Sequence, residues 1–209
     1  MFEETLSKDA KKSLAILGES GLLKNAYLAG GTALALQIGH RISVDLDFFT
    51  NKEFNGNVFV RKLKKIIPNF RLEKMGEGTV LGSLNKTRFS YFFYDYPLLF
   101  KKHNFFGVKI ADIKDISAMK IAAISGRGTK RDFIDLYFIL NSAKILSLEE
   151  ILELYDKKFG LLKQNRVHIL KSLIYFDDAE QEPMPMMIKQ VDWDKIKEKI
   201  KEAVLAIEI

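Results

Sequence analysis

Two aspartates inside a strongly apolar stretch constrain this chain more than any other feature. Asp45 and Asp47 lie in residues 43–50, where β-branched and aromatic residues alternate as in a β-strand. Side chains two apart on a strand share one face, with Cα atoms roughly 6.6 Å apart. Two carboxylates near a hydrophobic core are destabilising unless a positive charge lies between them. A divalent ion would supply that charge; on an exposed edge strand, Arg41 or a lysine would supply it instead. The spacing alone favours neither interpretation.

The segment before this strand has a second unusual pattern. A short apolar strand, 26–29, ends in Gly30-Gly31, and an apolar helix, 32–38, begins at Thr32. Glycine lets a backbone approach a ligand closely, and the free N–H groups of a helix start favour phosphate. The Thr32 hydroxyl would either donate to that phosphate or cap the helix. By itself the pattern is equally typical of a tight turn.

Composition restricts the chemistry that such a site can use. The 209 residues include no cysteine and three histidines, which are scattered through the chain. Disulfides, thiolate zinc sites, iron–sulfur clusters and cysteine nucleophiles are therefore excluded. A metal in this protein should be a hard cation held by carboxylates, Mg²⁺ or Mn²⁺. The net charge of +6 mildly favours an anionic partner.

The periodicity of apolar residues changes near residue 115 and predicts two regions. Up to that point helices alternate with strands; from there on the pattern is helical. The predicted strands are 26–29, 43–50, 69–75, 78–84, 87–94 and 105–110, and the predicted helices are 3–17, 32–38, 57–67, 115–125, 130–142, 147–158, 163–174 and one starting at 192. We therefore expect an α+β core over residues 1–114 and a helical region over 115–209 that packs on the core.

A second charged cluster falls in the helical region. Lys120 and Arg127 share one face of a predicted helix, and Asp132 and Asp135 lie three apart on the next. Lys120 would contact a phosphate as a point charge, with an aspartate of the second helix orienting it. The alternative is a helix–helix salt-bridge cluster without a ligand. Asp132 would then be a structural partner of a nearby arginine.

Together the two blocks resemble a known family. The Gly-Gly-Thr turn, the short helix and the HRISVDLDFF segment are similar to the first motif of polymerase-β-like nucleotidyltransferases, and more narrowly to the AbiEii/AbiGii toxin group. The segments DISAMK, 115–120, and RDFIDLY, 131–137, resemble the later motifs of that group. The superfamily more often has Gly-Ser where this chain has Gly31-Thr32. The resemblance covers nearly the whole chain.

The resemblance implies a minimal polymerase-β-type core, a mixed sheet flanked by helices, followed by a C-terminal helical region. It implies that Asp45 and Asp47 hold Mg²⁺ (or Mn²⁺) and activate an acceptor hydroxyl. The other implied site residues are Lys120 and Asp135 as catalytic groups, and Gly30, Gly31, Thr32, Arg41, Arg127 and Asp132 as nucleotide-binding groups. Superfamily enzymes usually carry a third carboxylate, for which the candidates are Asp95 and Asp112.

The implied reaction is transfer of a nucleoside monophosphate from an NTP to an acceptor, RNA such as tRNA before a protein side chain. The group further implies a toxin with a cognate antitoxin as partner. Alternatives are an inactive nucleotide- or RNA-binding module of the same fold, and a structural protein whose acids are all salt-bridged. The charged N-terminal segment and the lack of a long apolar run predict a cytoplasmic protein without a membrane partner.

Overall fold

The computed structural model describes residues 1–142, 146–160 and 166–207. The chain divides into two compact units, Met1–Asp112 and Ile113–Ile209. The boundary expected from the sequence, after residue 114, lies two residues further along the chain. The strands found in the described residues all belong to unit 1, and unit 2 is helical.

Unit 1 is built on one mixed sheet. Its helices are α1 (Lys8–Glu19), α2 (Gly30–Ile38) and α3 (Gly56–Ile66), preceded by a 3₁₀ turn at Glu3–Thr5. Its strands are β1 (Tyr27–Ala29), β2 (Asp45–Thr50), β3 (Phe70–Gly76), β4 (Thr79–Leu84), β5 (Thr87–Phe93), β6 (His103–Phe105) and β7 (Val108–Ile110). The seven strands have the order β3-β4-β5-β2-β1-β7-β6. The expected α+β core with a mixed sheet is confirmed.

Strand β2 lies in the interior of this sheet. It pairs antiparallel with β1 and parallel with β5. Leu46 and Phe48 point to the buried face of β2, where Phe48 packs against Phe89 of β5 with ring centroids 5.8 Å apart. The interpretation of residues 43–50 as an exposed edge strand is therefore wrong, because both edges of β2 are occupied by other strands.

The helices of unit 1 begin and end where short polar residues and glycine allow it. The Ser7 and Asn55 side chains accept from backbone N–H groups in the first turns of α1 and α3. The end of α2 falls at Gly39, whose φ of 66° is left-handed and favours glycine. The first helix begins later than the predicted residue 3, because the chain forms the 3₁₀ turn first.

One predicted strand is a hairpin. Residues 105–110 were expected to form a single strand, but β6 and β7 pair antiparallel on either side of Phe106 and Gly107. These two residues have φ values of 47° and 76°, the left-handed pair that a tight two-residue hairpin turn requires. The alternation of apolar residues continues through such a turn, so periodicity alone does not reveal it.

Unit 2 packs its helices around aliphatic and aromatic side chains. The helices are α4 (Ile113–Gly126), α5 (Lys130–Tyr137), α6 (Leu148–Phe159), α7 (Arg166–Leu173), the short α8 (Asp177–Glu180) and α9 (Trp193–Leu205). The predicted helix 130–142 is α helical only to Tyr137 and continues as a π-helix, Phe138–Ser142. Residues 163–165 of the predicted helix 163–174 lie outside the described residues. No helix in the described ranges combines the length and apolar character needed to cross a membrane.

Candidate active site

Asp45 and Asp47 lie on one face of the central strand β2. Burial alternates along the strand, with Leu46, Phe48 and Thr50 buried and the two aspartates half-buried. Both carboxylates therefore point to the same, partly accessible side of the sheet, as the period of two predicts. Their face is opposite to the one that carries the core residues.

The N-terminus of α2 lies directly beside this pair. Asp47 is the register partner of Ala29, the residue before Gly30. Gly30 has a φ of 68°, and a Cβ placed on it would stand 3.2 Å from Asp47 Oδ2. A larger residue would therefore be strained and would crowd the carboxylate. Glycine here keeps the backbone N–H groups of the helix start and the carboxylate close together.

Thr32 is a structural link between α2 and β2. Its side chain is buried, its hydroxyl donates to the backbone carbonyl of Asp45, and it lies 2.8 Å from Ser43 Oγ. The residue at the N-cap position of α2 is Ala29, so Thr32 is not the helix cap that the sequence allowed. The hydroxyl holds the first residue of the DLD segment against the helix.

His40 and Arg41 are buried despite their polar character. Arg41 is 3% exposed, and its Nη1 donates to the carbonyl of Ile42 at 3.2 Å. His40 is fully buried. Both residues belong to the connection between α2 and β2.

The two candidates for a third carboxylate, Asp95 and Asp112, do not lie on the strands that flank β2. On β5, the residue in register with Asp47 is Ser90. Asp95 follows the end of β5 and is exposed, and Asp112 Oδ2 lies 2.9 Å from His103 Nε2. Within the described residues, no group of three or more acidic, histidine or cysteine side chains is arranged to hold a metal. The geometry offers a two-carboxylate site.

In unit 2, Lys120 joins both aspartates of α5. Its Nζ lies 2.8 Å from Asp132 Oδ1 and 2.5 Å from Asp135 Oδ2, and all three side chains are almost completely buried. Asp132 also accepts from the Thr129 hydroxyl at 2.6 Å. Arg127 Nε lies 3.5 Å from Asp132 Oδ2, with its side chain 71% exposed. The predicted partners therefore do come together, and Arg127 is the solvent-facing cation of the cluster.

The titration of Asp132 follows from this arrangement. Burial by itself raises the pKa of this carboxyl, but the Lys120 ammonium, the Thr129 hydroxyl and Arg127 outweigh burial and lower it. Asp132 is therefore held ionised beside Lys120.

Several residues at these sites were not singled out from the sequence. Ser43 and Ser90 beside the aspartates, and Thr129 beside Asp132, are small hydroxyl residues without a motif of their own. Ser90 follows from pairing β2 with β5, and Thr129 from its place three residues before Asp132, a common capping distance. Ser43 had no such signal, because its contact with Thr32 depends on the tertiary fold.

Relatives of the chain were found at the levels of sequence and fold. An uncharacterised protein of Aquifex aeolicus (strain VF5) is 39% identical over 181 residues, which are 85% of this chain and 86% of that protein. The structure is similar to that of JHP933 from Helicobacter pylori, with a TM-score of 0.58, 18% identity and coverage of 96% and 92% of the two chains. It is also similar to MenT4, a nucleotidyltransferase toxin from Mycobacterium tuberculosis H37Rv, with a TM-score of 0.57, 14% identity and coverage of 97% and 87%.

A family match extends along both units. The model of the nucleotidyl transferase AbiEii toxin, of type IV toxin–antitoxin systems, matches residues 12–98 and 90–207. This range includes the Gly-Gly-Thr turn, the DLD strand and the Lys120 cluster. The resemblance read from the motifs is thus confirmed, and the chain belongs to the AbiEii family of nucleotidyltransferase toxins.

Proposed function

We propose that this nucleotidyltransferase moves a nucleoside monophosphate from an NTP to an RNA acceptor, tRNA first, using Mg²⁺ or Mn²⁺ held by Asp45 and Asp47. One observation carries the proposal. The two carboxylates share the accessible face of β2, and the N-terminus of the nine-residue helix α2 begins beside them. Carboxylates for a cation and free N–H groups for phosphate are thus adjacent.

The residues present fit a hard divalent cation. Both aspartates are half-buried, and a Cβ at position 30 would stand 3.2 Å from Asp47 Oδ2, so the glycine there leaves more space beside that oxygen. Mg²⁺ bound there would neutralise triphosphate charge and make the acceptor hydroxyl more nucleophilic. Asp45 is held in place through its backbone carbonyl by Thr32, so the strand position of the pair is fixed before any ligand binds.

The phosphate contacts would come from the backbone of α2. The N–H groups of the first helical turn have no partner within the helix, and those of Gly30 and Gly31 approach a ligand without a Cβ in the way. Thr32 contributes by positioning, because its hydroxyl already donates to Asp45. This assignment narrows the role expected from the sequence, in which the hydroxyl itself contacts phosphate.

The basic side chains would stabilise the negative charge that develops on the phosphate during transfer. Lys120 is oriented by Asp132 and Asp135 and uses two of its three N–H donors on them. A phosphate oxygen that reached this cluster would meet an ammonium group that the two aspartates already hold in place. Between Arg127 and Arg41, exposure favours Arg127 as a direct ligand contact, since Arg41 is buried.

The chemical step is an in-line displacement. The acceptor oxygen forms a bond to the α-phosphorus, the bond from that phosphorus to the bridging oxygen breaks, and pyrophosphate leaves. The acceptor hydroxyl proton passes to a carboxylate of the Asp45–Asp47 pair or to solvent. Membership of a type IV toxin–antitoxin family supports a cognate antitoxin protein as a further partner.

The proposal is tested by following label from each of the four NTPs into total tRNA in the presence of Mg²⁺. We expect one nucleotide to label the RNA with wild-type protein, and the isosteric Asp47→Asn variant to lower the rate at least about a hundredfold, because a neutral amide is a poor ligand for the cation. Glu77→Gln, a neutralised acid in the exposed β3–β4 turn, is the matched control and should label as wild type.

Two results would redirect the assignment. Label found in protein rather than RNA would make a protein side chain the acceptor. No transfer from any NTP, together with an NTP-dependent rise in melting temperature that Asp47→Asn abolishes, would identify an inactive nucleotide-binding module. Equal labelling by wild type and Asp47→Asn would contradict the proposed role of the pair.

A further inference from the structure

Unit 2 contains an open cavity of which the proposed nucleotide chemistry uses only Arg127. Its volume is about 350 Å³, at the lower end of the range for small-ligand sites. It lies between the C-terminal end of α4, the turn that follows it, and α7 with the residues after it. The side chains that matter are those of Arg127, His168, Lys171, Ser172, Tyr175 and Asp178.

Positive charge exceeds negative charge in this cavity. Arg127 and Lys171 are basic and exposed, and Asp178 is the acidic side chain in the lining. Within the described ranges no ion pair is formed by Lys171 or by Asp178. Lys171 is therefore able to bind an anion without first breaking a salt bridge.

An exposed aromatic ring stands among these charges. Tyr175 is 53% exposed, so its ring is accessible to a ligand. His168, one helical turn before Lys171, is also exposed. Cations together with an accessible flat ring are the combination that binds the phosphate and the unstacked base of a single-stranded nucleic acid.

The cavity is linked to the catalytic candidates through one residue. Arg127 lines the cavity, and its Nε also lies 3.5 Å from Asp132, a partner of Lys120. A single-stranded nucleic acid bound in this cavity would thus lie beside the Lys120 cluster of the same unit.

We propose that this cavity binds a phosphate and an adjacent base of the single-stranded end of the RNA acceptor, with Lys171 and Arg127 on the phosphate and Tyr175 stacking on the base. The inference rests on the proposed function and names the part of unit 2 that recognises its acceptor. An aromatic ring next to the cations favours RNA over an acidic peptide, which would need the cations alone.

The test measures binding of a fluorescently labelled single-stranded RNA by anisotropy at several salt concentrations. Tyr175→Ala should weaken binding at least about fivefold, since stacking on an aromatic ring contributes on the order of 1–3 kcal/mol per base, and Tyr175→Phe should restore it.

Lys171→Gln should lower the slope of log K against log salt by about 1, as expected for the loss of one phosphate contact. Lys195→Gln, an exposed lysine at the start of α9, is the matched control and should leave both quantities unchanged.

Two companion measurements separate this inference from the proposed function. The NTP-dependent shift in melting temperature reports on the nucleotide site alone, so a normal shift with unchanged RNA affinity in the Tyr175→Ala and Lys171→Gln variants would overturn only the inference. Absence of that shift, with RNA binding sensitive to both variants, would overturn only the proposed function. Complete displacement of the RNA by excess free mononucleotide would also overturn the inference, because the cavity would then be a site for a free nucleotide.

Discussion

At the scale of single residues, the charge state of Asp132 depends on Lys120. Burial of a carboxyl favours its neutral form, whereas the ammonium 2.8 Å away favours the carboxylate. The ammonium and the hydrogen bonds prevail, so the pKa of Asp132 is lowered in the folded protein. Because the folded-state pKa lies below the usual value of 3.8, Asp132 stabilises the fold fully above that value and loses its contribution as the pH falls through the folded-state pKa.

This linkage predicts the pH dependence of a variant. Asp132→Asn should lower the free energy of unfolding by about 1–3 kcal/mol at neutral pH, as for a hydrogen bond to a charged group. Urea unfolding at a series of pH values should show the difference from wild type constant down to the usual aspartate pKa and shrinking below it. Asp177→Asn, in the exposed first turn of α8, should show no such loss. A difference that persisted unchanged at the lowest pH would mean that Asp132 is not ionised in the fold.

The residue scale also shows what sequence can and cannot predict. The shared face of Asp45 and Asp47 follows from the period of a strand, and the closeness of Lys120 to Asp132 and Asp135 follows from helical spacing across a short turn. The hydrogen bond from Thr32 to the Asp45 carbonyl could not be predicted, since it joins residues 13 apart and depends on how α2 folds back onto β2. Local periodicity contains no information about such contacts.

At the scale of elements, a buried ion pair joins α4 to α6. Lys158 Nζ lies 3.0 Å from Asp115 Oδ1, and both side chains are fully buried. Desolvation lowers the pKa of Lys158 more strongly than the carboxylate of Asp115 raises it. A pair of this kind gives little net stability relative to apolar residues, but removal of one partner leaves a buried charge without compensation.

A double-mutant cycle measures the coupling free energy between Lys158 and Asp115. Lys158→Met alone and Asp115→Leu alone should each lower the free energy of unfolding by about 3–5 kcal/mol, because each leaves one buried charge. The double variant should be much more stable than the sum of the single effects implies. Denaturant unfolding of the four proteins gives the coupling directly. Additive effects would show that the two charges do not depend on each other.

Element boundaries were predicted best where local chemistry sets them. Helix α6 starts after Ser147, which forms a capping box with Glu150 and is visible in the sequence. The β6–β7 hairpin was not visible, because its turn uses Phe106, an aromatic residue in a left-handed conformation that rarely signals a turn. The Lys158–Asp115 pair was also not predicted, since 43 residues separate its members.

At the scale of the whole molecule, the residues assigned to one reaction belong to both compact units. Asp45, Asp47 and the start of α2 lie in unit 1, and the Lys120 cluster lies in unit 2. Two explanations of the Lys120 cluster follow. It serves the nucleotide together with the carboxylates, or it is a salt-bridge network that stabilises unit 2 alone. Both are compatible with three buried charges in contact, so the distinction requires a measurement that reports on both units at once.

Amide hydrogen exchange with and without NTP and Mg²⁺ makes that distinction. A ligand that contacts both clusters lowers the local opening of each, so peptides covering residues 28–50 and residues 117–137 should both exchange more slowly in its presence. Mg²⁺ without NTP should protect residues 28–50 at most. The two aspartates of the Lys120 cluster are already paired with an ammonium group, so we do not expect this cluster to bind a cation. In Asp47→Asn the NTP-dependent protection of both ranges should disappear together, since the nucleotide no longer binds with its cation. Protection confined to residues 28–50 would identify the Lys120 cluster as structural and would restrict the nucleotide site to unit 1.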